Sequence, residues 1–219
     1  MYDYLFFDLD GTIMDSAPGI YASVRYALSK YGLEADERTL QTFVGPPLDD
    51  SFMREFGFSK EKADEAVRFY REYYPEKGIF EQTAYPGVPE ALAKLRAAGR
   101  KVYLATSKPE PFAKRILDRF GLTGYFDIAA GASFDDSRAD KDQVLRYLIA
   151  MLPEGEQAVD EGRVLMVGDR KYDVEGAKAL GIPCLGVGYG YAEDGELAAA
   201  GAVAVAETAE EMAAWILEH

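Results

Sequence analysis

Short apolar runs alternate along this chain with stretches whose apolar residues recur at helical spacing, and that alternation constrains the fold more than any other feature. The first run, Tyr4-Leu-Phe-Phe-Asp-Leu-Asp10, ends in acid and is followed by Gly11. Lys101 to Ala105, Asp127 to Ala130, Arg163 to Val167 and Ile182 to Val187 repeat the pattern, with a weaker run from Ala202 to Ala206. Between them Val88, Ala91, Leu92 and Leu95 fall on one helical face, as do Phe112, Ile116 and Phe120, then Val144, Leu145, Leu148 and Ile149, and then Val174, Ala177 and Leu180. Near-continuous apolar runs suit strands covered on both faces, and strand–helix alternation closes into a parallel sheet. The expected class is α/β, with helices on both sides of the sheet. The segment from Ala209 to Leu217 reads as a last helix, laying Met212, Trp215 and Ile216 on that sheet.

The alternation is interrupted once. From residue 15 to about 83, helical signals follow one another with no convincing strand: Tyr21, Val24, Leu28 and Tyr31 share a stripe, as do Ala63, Ala66, Val67 and Tyr70, and Gly45-Pro46-Pro47 separates two helices. The expected organisation is a sheet domain of residues 1–14 and 84–219 with a helical insert of residues 15–83. Insertion after the first strand puts it at the carboxyl edge of the sheet, where open α/β sheets bind ligands.

Composition narrows the chemistry. Among 219 residues, 24 Lys and Arg face 38 Asp and Glu, a formal net charge of −14 that opposes a nucleic-acid polymer as partner. The one histidine, His219, is the last residue, so a mechanism built on an interior imidazole lacks its part. The one cysteine, Cys184, sits in an apolar run and reads as a buried thiol. No stretch approaches the roughly 20 apolar residues of a membrane span, and the expected location is the cytoplasm, with no membrane partner.

Polar residues gather where the apolar runs end. Asp8 and Asp10 are two apart, so in extended chain both carboxylates leave on one side. A second run closes on Thr106-Ser107-Lys108, a hydroxyl and backbone amides before a helix expected to begin at Pro109. Lys141 opens a helix, where a cation opposes the macrodipole unless an anion is near. Gly168-Asp169 closes another run, and Asp173 stands at the next helix start. Each has an ordinary alternative: Asp8 and Asp10 as turn caps, Thr106 and Asp173 as helix caps, Lys141 as a solvated surface cation.

In this order, Asp8-x-Asp10-Gly-Thr, Thr106, Lys141, and Gly168-Asp169 with Asp173 resemble the four motifs of the haloacid dehalogenase superfamily. The insert resembles the cap of its phosphoglycolate phosphatase-like branch. Phe43-Val-Gly-Pro-Pro-Leu48, Ser137-Arg-Ala-Asp-Lys141 and Gly168-Asp-Arg-Lys-Tyr-Asp173 look most like the 5'-nucleotidase-like group within it. The resemblance implies a Rossmann-like core, an inserted helical cap and a phosphatase acting on a small-molecule phosphate monoester, as a monomer or homodimer. It further implies that Asp8 attacks phosphorus, that Asp10 protonates the leaving alcohol and activates water, and that Asp8, the Asp10 carbonyl and Asp169 hold Mg²⁺. Thr106, the Ser107 amide and Lys141 then bind the phosphoryl oxygens, and Asp173 supports Lys141 or the metal's waters. Within the insert, the loop around Gly45 is the expected substrate-binding element, pointing Phe43 and Val44 at the phosphate. A phosphomutase of the same superfamily is the nearest rival, and a non-catalytic phospho-acceptor or binding module a more distant one. Gly186-x-Gly188-x-Gly190 reads as a tight loop, since the spacing of a dinucleotide site is incomplete.

Overall fold

The computed structural model describes residues 1–135 and 137–219. The chain divides into two compact units, one of Met1–Asp15 and Ala84–His219, the other of Ser16–Thr83. Asp15, assigned to the insert on sequence grounds, falls in the first unit, where its Oδ1 accepts a hydrogen bond of 2.8 Å from the Tyr191 hydroxyl.

In chain order the elements are β1 (Tyr4–Phe7), β2 (Met14–Asp15), α1 (Ala17–Ser29), α2 (Glu37–Gln41), α3 (Leu48–Phe56), α4 (Lys60–Tyr73), β3 (Thr83–Ala84), α5 (Val88–Ala97), β4 (Lys101–Pro109), α6 (Glu110–Arg119), β5 (Ile128–Ala132), α7 (Lys141–Met151), α8 (Gly155–Asp160), β6 (Val164–Gly168), α9 (Lys171–Lys178), β7 (Cys184–Val187), α10 (Glu196–Ala200), β8 (Ala204–Ala206) and α11 (Ala209–Glu218). Six strands form one sheet in the order β5-β4-β1-β6-β7-β8, and every pairing in it is parallel. The expected class is thus present: a Rossmann-like parallel sheet with helices around it.

Register decides what the sheet presents at its carboxyl edge. Phe7 of β1 lies opposite Leu104 of β4 and Val167 of β6. One residue further on, Asp8 therefore comes level with Ala105 and Gly168, and its N–H donates to the Val167 carbonyl at 2.9 Å. Parity then decides the face. Tyr4, Phe6, Tyr103, Ala105, Val164 and Met166 pack in one buried cluster with Val144, Leu145 and Leu148 of α7 and Val174 and Ala177 of α9. Asp8 continues the Tyr4–Phe6 series, so it points to the side from which α7 and α9 arrive. On α11, Met212 and Ile216 are buried as expected, but Trp215 is only partly covered and stacks on Tyr2 and His219.

Two boundaries differ from the sequence reading. Pro109 does not begin α6. It ends β4 with extended backbone (φ −51, ψ 127), and the helix starts at Glu110, with the helix's proline, Pro111, in its first turn. Proline disfavours helical backbone in the residue before it, which holds Lys108 extended and carries the strand past Thr106 with a shift in register. In the helical unit, the buried stripe of α1 runs through Ile20, Ser23, Val24, Ala27 and Leu28, displaced from the expected one: Tyr21 is half-buried and Tyr31 follows the helix. Phe43 also departs from expectation. Its ring packs edge-on against Phe52 at 4.9 Å, in a cluster with Phe56 and Phe58, so it fills the core of that unit rather than facing a ligand.

Because α7 holds its place through the sheet cluster, Leu148→Ala is expected to cost about 2–5 kcal/mol by loss of buried methylenes and the cavity left behind. Denaturant unfolding should show this as a lower midpoint at unchanged slope.

Candidate active site

Lys141 is the first residue of α7, yet it is buried. Its ammonium lies 2.7 Å from Asp8 Oδ1 and 2.8 Å from Asp173 Oδ1, and donates to the Ala105 carbonyl at 2.9 Å. An ammonium has three donors, and each meets an acceptor from a different element: the end of β1, the end of β4 and the first turn of α9. The unfavourable position of a cation at a helix start is thereby explained, since two carboxylates offset the macrodipole. The turn itself is held by the Gln143 side chain, which accepts from the N–H of Asp140 and of Ala139.

Asp173 does two things. It sits at the third position of α9, where its Oδ2 accepts from the Arg170 N–H at 3.1 Å, while its other oxygen meets Lys141. Asp169 is fully buried just past β6. Its Oδ1 accepts from the Thr12 hydroxyl at 3.2 Å and its Oδ2 from the Tyr191 N–H at 2.8 Å. Carboxylate oxygens of Asp8, Asp169 and Asp173 all lie within 4.8 Å of one another. Thr106 is buried at the end of β4, its hydroxyl accepting from the Lys108 N–H at 3.2 Å, and Ser107 beside it is exposed. Asp10 joins the group through Lys108, whose ammonium is 2.7 Å from its Oδ2. Gly45 belongs to the helical unit, between α2 and α3 with φ +104.

Sequence reasoning missed Thr12, Lys108 and Tyr191. For Lys108 a signal existed: two residues after Thr106 in extended chain, it shares that residue's face. Tyr191 is reached only through tertiary structure, because its contact with Asp169 uses the backbone. The glycines around it do carry a trace. A Cβ on Gly190 would stand 2.4 Å from both Asp169 Cβ and the Gly11 carbonyl, and one on Gly11, at φ +85, would stand 2.0 Å from Asp169 Oδ2. Both glycines are needed so that two loops can close on one carboxylate.

A profile of haloacid dehalogenase-like hydrolases matches residues 5–187. The chain belongs to that family. It is 39% identical over 199 residues to a 5'-nucleotidase of Pseudomonas aeruginosa, covering 90% of this chain and 88% of that protein. It is 44% identical over 189 residues to the tyrosine-protein kinase PtkA of Mycobacterium tuberculosis, covering 84% of this chain but only 62% of the kinase's length. It is 32% identical to a phosphoglycolate phosphatase of Salmonella typhimurium, over 84% of this chain and 81% of that one. A crystal structure titled as a predicted phosphatase from Clostridium acetobutylicum superposes with a TM-score of 0.87 at 40% identity, covering 100% of both chains.

The electrostatics of this haloacid dehalogenase-type site are out of balance. Asp8, Asp10, Asp169 and Asp173 carry four formal negative charges, against two positive ones on Lys108 and Lys141. Two unit charges about 4 Å apart interact by about 4 kcal/mol at an effective dielectric of about 20, so the unneutralised pairs repel strongly. Burial, opposed by Lys141 and reinforced by Asp173 and Asp10, pushes the Asp8 carboxyl up from 3.8 to about 6. Burial, then Asp173 and Asp8, hold Asp169 well above the usual carboxylate range. Burial alone would lower the Lys141 ammonium, but Asp173 and Asp8 override it and keep it above its ordinary value. Among the described residues no cation pairs with Asp169, and Asp10 Oδ1 is buried with no hydrogen-bond partner. A divalent ion that takes hard oxygen ligands fits this set, since two positive charges bring the sum to zero.

The sign of the pH dependence follows. A carboxyl whose folded pKa is raised favours folding fully below about 3.8, and that contribution is lost as pH rises through about 6. In chelator, the melting temperature of the wild type relative to Asp8→Asn should therefore fall across this window, and a flat difference would contradict the assignment. Gly190→Ala should lower the melting temperature by several degrees, because the atoms it meets include backbone that cannot rotate away.

Proposed function

We propose that this haloacid dehalogenase-type phosphatase hydrolyses a small-molecule phosphate monoester through an aspartyl phosphate on Asp8, with Mg²⁺ as its metal. The observation that supports the reading most is the three-way contact of Lys141 with Asp8, Asp173 and the Ala105 carbonyl, which holds a carboxylate oxygen at the sheet edge beside a fixed cation. Asp8, the Asp10 carbonyl and Asp169 would hold the metal, which when bound supplies positive charge to the phosphoryl oxygens and to the attacking carboxylate.

The rest is work for the protein's own groups. Asp8 offers one oxygen to phosphorus while its Oδ1 stays bonded to Lys141, so the nucleophile keeps its orientation as its charge is used. As the bond to the leaving oxygen breaks, Asp10 gives that oxygen a proton. It then takes a proton from the water that hydrolyses the aspartyl phosphate. Thr106, the Ser107 amide and Lys141 bind the phosphoryl oxygens at the end of β4, where the chain turns into α6. Asp173 keeps Lys141 in place through its 2.8 Å contact.

These groups recognise a phosphoryl group and nothing beyond it, so the choice of ester is assigned to the helical unit, with the loop at Gly45 as its substrate-binding element. Relatives named 5'-nucleotidase and phosphoglycolate phosphatase support nucleoside 5'-monophosphates and phosphoglycolate as the first esters to try. A second reading, transfer of the phosphoryl group to a hydroxyl instead of water, draws on the relative named a tyrosine-protein kinase.

Inorganic phosphate release should require Mg²⁺ and should fall by at least about 1,000-fold in Asp8→Asn, which removes the nucleophile. Retained turnover in that variant would overturn the reading. Counting phosphate against alcohol product separates hydrolysis, where the two are equal, from transfer, where phosphate lags. Mg²⁺ should also raise the melting temperature, by mass action on the folded state, and Asp169→Asn should weaken that rise.

A further inference from the structure

We infer that Lys108 is a positioning residue for Asp10, fixing which of its carboxylate oxygens faces the reacting atoms. The inference rests on the proposed function and adds to it a residue that none of the four motif positions includes. The Lys108 ammonium lies 2.7 Å from Asp10 Oδ2, and its side chain is only 8% exposed. An ammonium brought that far out of water needs a structural purpose, since an exposed ion pair of the same length is worth little.

The local backbone explains how it arrives there. Thr106 and Lys108 are alternate residues of β4, and the Thr106 hydroxyl takes the Lys108 N–H at 3.2 Å. The shift in register between Thr106 and Pro109 and the extended Pro109 keep Lys108 in the strand rather than in the first turn of α6, where its side chain would rotate by about 100° per residue. Asp10 is presented by a tight loop after β1, in which the Leu9 carbonyl accepts from the N–H groups of Ile13 and Met14 at 2.9 Å each. The loop after β1 and the last residues of β4 thus meet in one ion pair.

The consequence lies in the two oxygens of Asp10. Oδ2 is held by Lys108, whereas Oδ1 is buried with no hydrogen-bond partner among the described residues. A carboxyl group free to spin about its terminal bond presents either oxygen, and a proton on the wrong one is useless. With Oδ2 held by Lys108, the carboxyl group keeps one orientation, and the same face of it is offered to the leaving oxygen as the phosphorus–oxygen bond breaks and to water afterwards. Proton transfer of this kind is worth about 100- to 10,000-fold in rate, and poor orientation forfeits part of it.

The test compares two esters of similar size whose leaving groups differ in basicity. p-Nitrophenyl phosphate departs as a stabilised phenolate that needs little protonation, whereas benzyl phosphate departs as an alkoxide that needs a full proton. kcat/KM reports every step through departure of the leaving group, so both half-reactions need not be separated. Lys108→Met should lower kcat/KM for benzyl phosphate at least about 10-fold more than for p-nitrophenyl phosphate, and Lys108→Arg, which keeps the charge, should recover part of the difference. The rise in melting temperature with Mg²⁺ should persist in Lys108→Met, showing that the carboxylate cluster is intact. Equal losses for the two esters, or no recovery in Lys108→Arg, would overturn the role of Lys108 while leaving the phosphatase reading in place. Unimpaired hydrolysis of both esters by Asp8→Asn would instead overturn the reading beneath it.

Discussion

The ammonium of Lys141 is the point on which the site depends. Taking a charge of that kind out of water costs several kcal/mol, and the cost is offset only when geometry and partners are complete. Here they are complete because three elements far apart in sequence each bring one acceptor: Asp8 after β1, Ala105 near the end of β4, and Asp173 in α9. Each element alone would leave the cation stranded. The start of α7 is thus buried against both the sheet edge and α9, which ties the packing of the core to the geometry of the site.

A second constraint follows from the first. One buried ammonium serves two of three clustered carboxylates, and among the described residues Asp169 has a hydroxyl and a backbone amide as donors. Stability alone would favour removing that acid. Gly11 and Gly190 lack side chains where two loops close around it, and the clustered carboxylates could hold a metal ion. Like charge concentrated at one sheet edge, over an otherwise well-packed core, is the pattern expected where function overrides folding preference.

The two units divide the chemistry. Asp8, Asp10, Thr106, Lys141, Asp169 and Asp173 all belong to the sheet unit. The helical unit is built around its own aromatic cluster of Phe43, Phe52, Phe56 and Phe58. Small helical bundles need large fillers, and this one spends them internally. No helix among the described residues is long and apolar enough to cross a membrane.

Taken by itself, the order of residues determined the class of fold and singled out Asp8, Lys141, Asp169 and Asp173, which the structure brings together. Alternating apolar runs and helical stripes lead to a parallel sheet because each helix carries the chain back to start the next strand in the same direction and covers a face of the sheet. Acids at the ends of runs lead to the sheet's carboxyl edge because extended chain directs alternate side chains to one side. Side-chain partners were legible only where they follow from spacing, as with Asp8 and Asp10. Tertiary structure alone decided that Lys108 reaches Asp10, because a register shift in β4, ending at the adjacent Pro109, sets its direction. It alone decided that Tyr191 supports Asp169, because a backbone amide has no signature in a list of side chains. It also sent Phe43 inward, since which apolar residues fill a core depends on the neighbours that folding supplies.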